Sequence, residues 1–398
     1  MQKNTKQLAT YIKNLQFKNP IYKDIITVEH RSNNPKRDYL FVNKIQAKHI
    51  PCDAVKTQLM CKDLANEVNK AWSGFLKNIL VIGFAETATG LARLVANDIE
   101  QVMYFMCTTR ENIPNTRDLI TFEEEHSHAT TQKLITHENN EFDFGSITHI
   151  LFVEDEISTG NTIINFVKAF QSQDVIRKDI EFGVASVCNW QNEADKKRFK
   201  DYKIETFALI TGELKDVNAK MDIDSSDIRT ELKVNTPEKD TEVQKFIVCN
   251  TNYFNKRILG DRLINHTFEV DSFLDNVFDN ILLDIDSVFS IRVIGTEECM
   301  APAIQIATKL RFGCNNIESV LCHSTTRSKI DILKDSDGLT SRTEVRSAYD
   351  NARQTYIYNI EDYTDLTILV TDADNPNEFV EDIKNKLNTH SIILIHLK

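Results

Sequence analysis

Three consecutive acidic residues stand directly before a small polar turn in segment 150–167, ILFVEDEISTGNTIINFV. Glu154 and Asp155 follow an apolar run that is typical of a buried strand, and helical spacing begins after the turn. Backbone N–H groups at a helix N-terminus favour phosphate, whereas carboxylates favour hydroxyl groups or a divalent metal. The segment therefore predicts a sugar-phosphate site, whose turn consists of Ser158, Thr159, Gly160, Asn161 and Thr162.

Other polar side chains stand where predicted strands end. A strand at 79–82 leads into the turn GFAETATG, which lacks the lysine and the GxGxxG spacing of general nucleotide loops. Arg110 ends the next strand, where its guanidinium could hold pyrophosphate bidentately or pair with Glu111 at the rim. Lys48 and His49 either face an anionic ligand or form a solvated strand end.

The elements that must position these residues alternate between strands and helices. Apolar runs at 79–82, 150–153, 181–188 and 204–210 are separated by helical segments. This order predicts an α/β fold with a doubly wound parallel sheet. Residues 1–25 are predicted to form a polar helical lead-in, and Asp53 is predicted to cap the helix that follows it.

A long connection, residues 111–148, separates Arg110 from the acidic strand and is predicted to be a lid. Its polar cluster contains Glu123, Glu124, His126, Ser127, His128 and Thr130. Imidazoles are common metal ligands, but no third His or Cys stands at zinc-site spacing. Proton handling or phosphate contact by His126 and His128 is therefore preferred.

Composition narrows the classes of partner. The 398 residues carry a net charge of −12, which disfavours a nucleic-acid backbone as the principal partner. No apolar run reaches membrane-spanning length, and the N-terminal residues lack the apolar region of a signal peptide. The eight cysteines are scattered, so we expect reduced thiols and a cytoplasmic location. The pair Lys36 and Arg37 is interpreted as a solvated turn.

Residues 291–398 repeat the plan of the first part. The second part contains the segments IRVIG, STTR and LTILVTDAD in the same order as ILVIG, CTTR and HILFVEDEI in the first part. The separation between Thr325 and Asp372 also equals that between Thr108 and Asp155. The second copy lacks the acidic pair and the Thr-Gly turn. It binds another ligand or completes the first site through Thr296, Glu297, Glu298, Thr325, Thr326, Arg327 and Ser328. We expect domains at 1–215 and 246–398, joined by a polar linker at 216–245.

The run 150–162 resembles the phosphoribosyl diphosphate (PRPP) signature of type I phosphoribosyltransferases. With GFAETATG, EEEHSHAT and the C-terminal GTEE and TTRS segments, the chain resembles the two-domain phosphoribosyltransferase–TRSP proteins of bacterial tellurium-resistance and stress gene clusters. One departure is Lys329, which stands where the TRSP motif has proline. The resemblance implies a homodimer, ribose contacts by Glu154 and Asp155, a 5′-phosphate loop at 158–162, a mobile hood at 111–148, and a pyrophosphate loop of Ala85, Glu86, Thr87 and Ala88.

The resulting hypothesis is Mg²⁺-dependent transfer of a phosphoribosyl group from PRPP to a nitrogen of a small-molecule acceptor, which makes a nucleoside-like metabolite. Glu154, Asp155, Arg110, His126 and His128 are the predicted catalytic residues, and Lys48 is a further predicted PRPP ligand. Glu154 and Asp155 would contact Mg²⁺ through ribose or water. The alternatives are a PRPP-sensing regulator without transfer activity, and the reverse cleavage of a nucleotide.

Overall fold

The computed structural model describes residues 3–31, 37–74, 77–113, 115–123, 131–138, 144–172, 177, 179–216, 219–221, 223–229, 243–249, 258–259, 288–313 and 316–397.

A first sheet carries the strands predicted around the acidic segment. Its strands are β1 (Ile12–Phe17), β5 (Ile79–Gly83), β6 (Val102–Cys107), β9 (His149–Ile157), β10 (Glu181–Asn189) and β11 (Ile204–Leu214). In the described residues, their order across the sheet is β1, β11, β10, β9, β5 and β6. Every pairing is parallel except that of β1 with β11.

Helices cover both faces of this sheet, which confirms the doubly wound fold. The helices of this part of the chain are α1 (Lys3–Tyr11), α2 (Ala54–Ala71), α3 (Thr89–Asp98), α4 (Asn161–Gln171) and α5 (Glu193–Asp201). On one face of the sheet, α2 and α3 contribute Leu64 and Leu91 to a buried apolar cluster. On the other face, α4 and α5 contribute Phe166 and Phe199 to a second one. Asp53 caps α2, as predicted, by accepting from the Val55 N–H at 2.9 Å.

The predicted helical lead-in is wrong beyond Tyr11. Residues 12–17 form β1, which pairs with β11 at the edge of the sheet. The register shifts around Asn14, whose φ of 54° interrupts the alternation that would reveal a strand. A pairing partner some two hundred positions away, and not local periodicity, stabilises this strand.

The second sheet confirms a second unit of similar plan. Its strands are β4 (Cys52–Asp53), β12 (Val243–Cys249), β14 (Ser290–Gly295), β15 (Ser319–Ser324), β18 (Thr364–Thr371) and β19 (Thr389–Leu397), and its helices are α6 (Ala301–Gly313) and α7 (Asn377–Lys384). In the described residues, the strand order is β12, β19, β18, β14, β15 and β4. The strands β15, β14, β18 and β19 therefore repeat the arrangement of β6, β5, β9 and β10.

The remaining strands form hairpins beside the two sheets. β2 (Ile26–His30) pairs with β3 (Tyr39–Asn43), β7 (Thr116–Glu123) with β8 (Thr131–His137), and β16 (Arg342–Arg346) with β17 (Gln354–Tyr358). The β7–β8 hairpin lies within the predicted lid, and β13 (Ile258–Leu259) pairs with β8. Residues 124–130, which include His126 and His128, lie outside the described residues.

The two halves of the chain exchange strands and share a core. β4 comes from the first half but pairs with β15, whereas β13 comes from the second half but pairs with β8. α3 and α6 meet at Gly90, where an added Cβ would lie 2.8 Å from the Met300 Cβ. Most of the predicted linker lies outside the described residues, and the domain boundaries stay a prediction.

Candidate active site

The acidic pair lies at the carboxyl end of β9. The sequence predicted that this strand ends at Val153, and that boundary is wrong, because pairing with β10 continues to Ile157. The ladder therefore fixes Glu154 and Asp155 at the edge of the sheet, where parallel α/β sheets bind their ligands. Burial raises the pKa of Asp155, and hydrogen bonds to its neighbours oppose that rise.

The predicted phosphate turn follows directly. Gly160 has a φ of 75°, which a residue with a Cβ adopts at a cost, and α4 begins at Asn161, two residues earlier than predicted. Arg198 Nη2 donates to the Thr159 carbonyl oxygen at 2.8 Å and so ties the turn to α5. Gly160, the N-cap residue of α4, has no side chain to cap the helix, and the Asn161 N–H donates to Thr159 Oγ1 at 3.4 Å. The positive end of this helix dipole lies at the turn.

The predicted pyrophosphate loop is fixed by neighbours on both sides. The Ala85 N–H donates to Thr108 Oγ1 at 2.9 Å, and Gln132 Nε2 donates to the Ala85 carbonyl oxygen at 3.2 Å. Gln46 Nε2 donates to the Thr87 carbonyl oxygen at 2.8 Å. The peptide bond between Ala85 and Glu86 is cis. Three segments of the chain thus hold this loop against the end of the sheet.

Glu86 is a buried, ionised carboxylate. Its Oε1 lies 2.7 Å from Lys48 Nζ. Burial raises the pKa of Glu86, but Lys48 and Arg327 outweigh that effect and bring the pKa to about 2. Lys48 also donates to the carbonyl oxygens of Glu297 at 2.8 Å and Thr325 at 3.1 Å. The three ammonium protons of Lys48 therefore have protein acceptors, and the predicted PRPP contact of Lys48 stays a prediction.

A cavity of about 430 Å³ joins these parts. Its wall contains the acidic pair, the whole turn from Ser158 to Thr162, the loop residues 85–87, and Arg110. It also contains residues of the second half. The remaining lining residues are Arg31, Arg37, Tyr39, Leu40, Phe41, His49, Glu156, Ile157, Ile163, Arg327 and Ser328.

Comparison with known proteins agrees with this arrangement. Residues 25–213 match the model of a family described as phosphoribosyl transferase, and residues 266–387 match the TRSP domain, described as C-terminal to it. The chain is a phosphoribosyltransferase–TRSP protein. No curated protein matches the sequence.

Solved structures with similar folds include adenine and hypoxanthine phosphoribosyltransferases. The enzyme from Trypanosoma brucei, in complex with AMP, pyrophosphate and ribose-5-phosphate, is 12% identical with a TM-score of 0.33, over 50% of this chain and 82% of that one. The adenine enzyme from Rhodothermus marinus is 13% identical with a TM-score of 0.33, over 47% and 96%. The hypoxanthine enzyme from Staphylococcus aureus is 16% identical with a TM-score of 0.23, over 36% and 68%.

In this phosphoribosyltransferase–TRSP protein the sequence missed one wall of the cavity. Arg37 was interpreted as part of a solvated turn, and that interpretation is wrong. Its guanidinium lies 4.6 Å from the ring centre of Tyr39 and 4.9 Å from that of Phe41, and its Nη1 lies 2.9 Å from Glu156 Oε1. A signal was present in the sequence, because Arg37 precedes Tyr39 and Phe41 at alternating positions, although β3 itself begins at Tyr39.

His49, for which the sequence left open an anionic ligand or a solvated strand end, is buried and lines the cavity. Burial and the neighbouring Lys48 lower the pKa of His49 to about 3, although Glu86 opposes them. The imidazole is therefore neutral at physiological pH. Its Nε2 is buried and makes no hydrogen bond within the described part of the chain. A ligand in the cavity would supply the missing partner.

The polar residues predicted as a second-domain site lie mainly in the contact between the halves. Glu297 is fully buried, and its Oε2 accepts from Arg327 Nε at 2.7 Å and lies 3.6 Å from Arg353 Nη2. Arg327 also pairs with Glu111, and Glu298 accepts from Thr109 Oγ1 at 3.3 Å. Of the predicted second-domain residues, Arg327 and Ser328 line the cavity of the first half.

No helix in the described residues is long and apolar enough to cross a bilayer.

Proposed function

We propose that the protein transfers the phosphoribosyl group of PRPP to a nitrogen of a small-molecule acceptor and releases pyrophosphate. The observation that carries this proposal is a single cavity whose lining includes the acidic pair Glu154 and Asp155, a glycine turn at a helix N-terminus, and the loop 85–87 together with Arg110. These are the groups required by a ligand that has hydroxyls, a terminal phosphate and a pyrophosphate on one sugar.

The three parts of PRPP fit three parts of the wall. The ribose hydroxyls donate to Glu154 and Asp155, and the 5′-phosphate lies on the turn from Ser158 to Thr162, at the N-terminus of α4. The pyrophosphate lies on the loop 85–87 and Arg110, whose guanidinium suits bidentate contact with phosphate oxygens. Ala88, the residue before α3, is buried and does not line the cavity, so we assign it to loop geometry.

The reaction breaks the bond between C1′ and the pyrophosphate oxygen, whose electron pair leaves with pyrophosphate. The acceptor nitrogen forms the new bond to C1′ and releases its proton to the medium. Positive charge develops on the ribose ring as the leaving group departs. The carboxylates of Glu154 and Asp155 would stabilise this charge, and Arg110 would stabilise the negative charge on pyrophosphate. Catalysis thus consists mainly of positioning and charge stabilisation.

The acidic pair fits a hydrated Mg²⁺ better than a metal caged by protein. Among the described residues no group of three or more His, Cys, Asp or Glu side chains could hold an ion. Mg²⁺ binds through one or two carboxylates together with phosphate oxygens and water. When bound with PRPP it would supply positive charge to the pyrophosphate, while Glu154 and Asp155 would hold it through ribose hydroxyls or water.

Further parts of the proposal concern location, assembly and the lid. The described free cysteines are buried, which agrees with a reducing compartment and hence with a cytoplasmic location. The homodimer, the hood function of residues 111–148 with His126 and His128, and the link to tellurium resistance rest on the family resemblance.

The test is release of pyrophosphate from PRPP in Mg²⁺ buffer with a mixture of nitrogen nucleophiles, with identification of the ribosylated product by mass spectrometry. Glu154→Gln and Asp155→Asn should each reduce the rate at least tenfold, because each removes a charged acceptor. Asp201→Asn, an exposed residue at the end of α5, is the matched control and should leave the rate unchanged. PRPP binding without any turnover would overturn transfer activity and favour the sensing alternative.

A further inference from the structure

The two halves of the chain share equivalent individual hydrogen bonds as well as the same strand order. At the end of β6 the Thr108 N–H donates to the Gly83 carbonyl oxygen at 2.9 Å. At the end of β15 the Thr325 N–H donates to the Gly295 carbonyl oxygen at 3.0 Å. The threonines that end these two strands are therefore equivalent.

The loops that meet these threonines are equivalent too. Thr108 Oγ1 accepts from the Ala85 N–H at 2.9 Å, and Thr325 Oγ1 accepts from the Glu297 N–H at 3.0 Å. The next residue in each half, Thr109 or Thr326, forms an antiparallel bridge to a neighbouring hairpin. The residue after that is Arg110 in the first half and Arg327 in the second.

Although Arg327 is equivalent to Arg110, it lines the cavity of the first half. Its backbone N–H donates to Glu86 Oε2 at 3.2 Å, on the loop to which we assign pyrophosphate. Its side chain also pairs with Glu111, the residue that follows Arg110. Both arginines therefore flank the same loop, one from each half of the chain.

The side chain of Arg327 is held but not saturated. Nε donates to Glu297 at 2.7 Å, and Nη2 pairs with Glu111. Nη1 makes no hydrogen bond within the described residues, and the side chain is 18% exposed. These contacts fix a guanidinium with spare donors at the wall of the cavity.

The equivalent edge of the second sheet is occupied by its own side chains. The Tyr349 hydroxyl donates to a carboxylate oxygen of Asp372, the counterpart of Asp155 by sequence separation. Thr296 Oγ1 lies 3.1 Å from the same hydroxyl and donates to Thr371 Oγ1 at 2.9 Å. The Tyr349 hydroxyl thus occupies an oxygen of the carboxylate that corresponds to Asp155, and the two threonines extend this hydrogen-bonded group.

We propose that the C-terminal half completes the active site of the first half by supplying Arg327 to the pyrophosphate of PRPP. This inference rests on the proposed function and assigns a role to the TRSP domain. Arg110 and Arg327 then hold the pyrophosphate from two sides, and release of pyrophosphate requires both halves to keep their contact.

The experiment compares two ligands and two arginines in the full-length protein. Calorimetric titrations with PRPP and with ribose 5-phosphate, both in Mg²⁺ buffer, separate contact with pyrophosphate from contact with the rest of the ligand. Arg327→Gln should weaken PRPP binding by roughly tenfold to a hundredfold, the effect of a lost charged hydrogen bond. Binding of ribose 5-phosphate should change less than about twofold.

Arg353→Gln is the matched control, because Arg353 pairs with the same Glu111 and Glu297 but does not line the cavity. It should leave both affinities unchanged. Arg327→Lys keeps a charge beside the buried Glu297 and provides a second variant if the glutamine form does not fold. It should lower PRPP affinity alone, by about tenfold, because lysine lacks the spare Nη1 donors.

Equal losses for Arg327→Gln and Arg353→Gln, or a parallel loss of ribose 5-phosphate binding, would overturn the inference in favour of a purely structural ion network. Unchanged PRPP binding in both Arg327 variants would also overturn it, while leaving the proposed function intact. A wild-type protein that binds neither ligand would instead refute the proposed function itself.

Discussion

Substitution of Gly160 by alanine should disturb the turn from Ser158 to Thr162 for a reason that has two parts, backbone strain and steric overlap. The φ of 75° places this residue in the left-handed region. An added Cβ would lie 2.3 Å from Phe199 Cε1 and 2.4 Å from its Cζ. Phe199 is buried in the apolar cluster that also contains the buried residues of α4, so its ring cannot turn away into solvent.

The two parts have different expected sizes. A left-handed alanine costs about 1–2 kcal/mol. Overpacking against a buried ring costs about 1–3 kcal/mol more. Gly160→Ala should therefore lower the free energy of unfolding by roughly 2–5 kcal/mol. Gly74→Ala is the matched control, because Gly74 has a φ of 113° but no atom within 4 Å of an added Cβ. It should show only the backbone cost.

Urea unfolding of Gly160→Ala, Phe199→Leu and the double variant isolates the steric part. Leucine removes the two ring atoms nearest the added Cβ, so the double variant should be less destabilised than the sum of the single variants, by about 1–3 kcal/mol. Calorimetry should show that Gly160→Ala also weakens ribose 5-phosphate binding. Strict additivity, or unchanged binding of ribose 5-phosphate, would refute this explanation of the turn.

Three further predictions concern protonation. Burial raises the pKa of Glu29 from 4.5 to about 7. The free energy of unfolding should thus fall by about 3 kcal/mol as pH rises from 4.5 to 7. Urea unfolding of Glu29→Gln should lack this fall, and equal pH profiles would contradict the prediction. Because burial raises the pKa of Asp155, calorimetric PRPP affinity should decrease as pH falls through that pKa, and Asp155→Asn should not show this dependence. Burial lowers the pKa of His49 to about 3, so magnetic resonance of its ring should show no titration between about pH 5 and 8; a midpoint near 6.5 would contradict this.

Local sequence patterns predicted the central strands because both faces of a parallel sheet are covered. The strands β5, β9 and β10 each contain an apolar run, which can be recognised without knowledge of the neighbouring strands. β1 and β4 were missed because their pairing partners, β11 and β15, are distant in the chain. The end of β9 was placed too early because polar residues there continue a ladder that begins with apolar ones.

The site was predictable where it is contiguous. Ser158 to Thr162 and the acidic pair lie in one segment, and the structure places all of them on one cavity. The opposite wall depends on packing over long separations: Arg37 meets Glu156 from the β2–β3 hairpin, and Arg327 meets Glu86 from the other half. The sequence could not show that Lys48 pairs with the buried carboxylate of Glu86, because the two residues are far apart in the chain, and the PRPP contact of Lys48 stays a prediction.

The most direct test of the central claim is a calorimetric titration of the wild-type protein with PRPP in Mg²⁺ buffer, repeated with Asp155→Asn. We predict saturable binding to the wild type and an affinity for the variant that is at least tenfold lower, because the ribose hydroxyls lose a charged acceptor. No binding to the wild type, or equal affinity for both proteins, would contradict the assignment of Glu154, Asp155 and the 158–162 turn as the PRPP site.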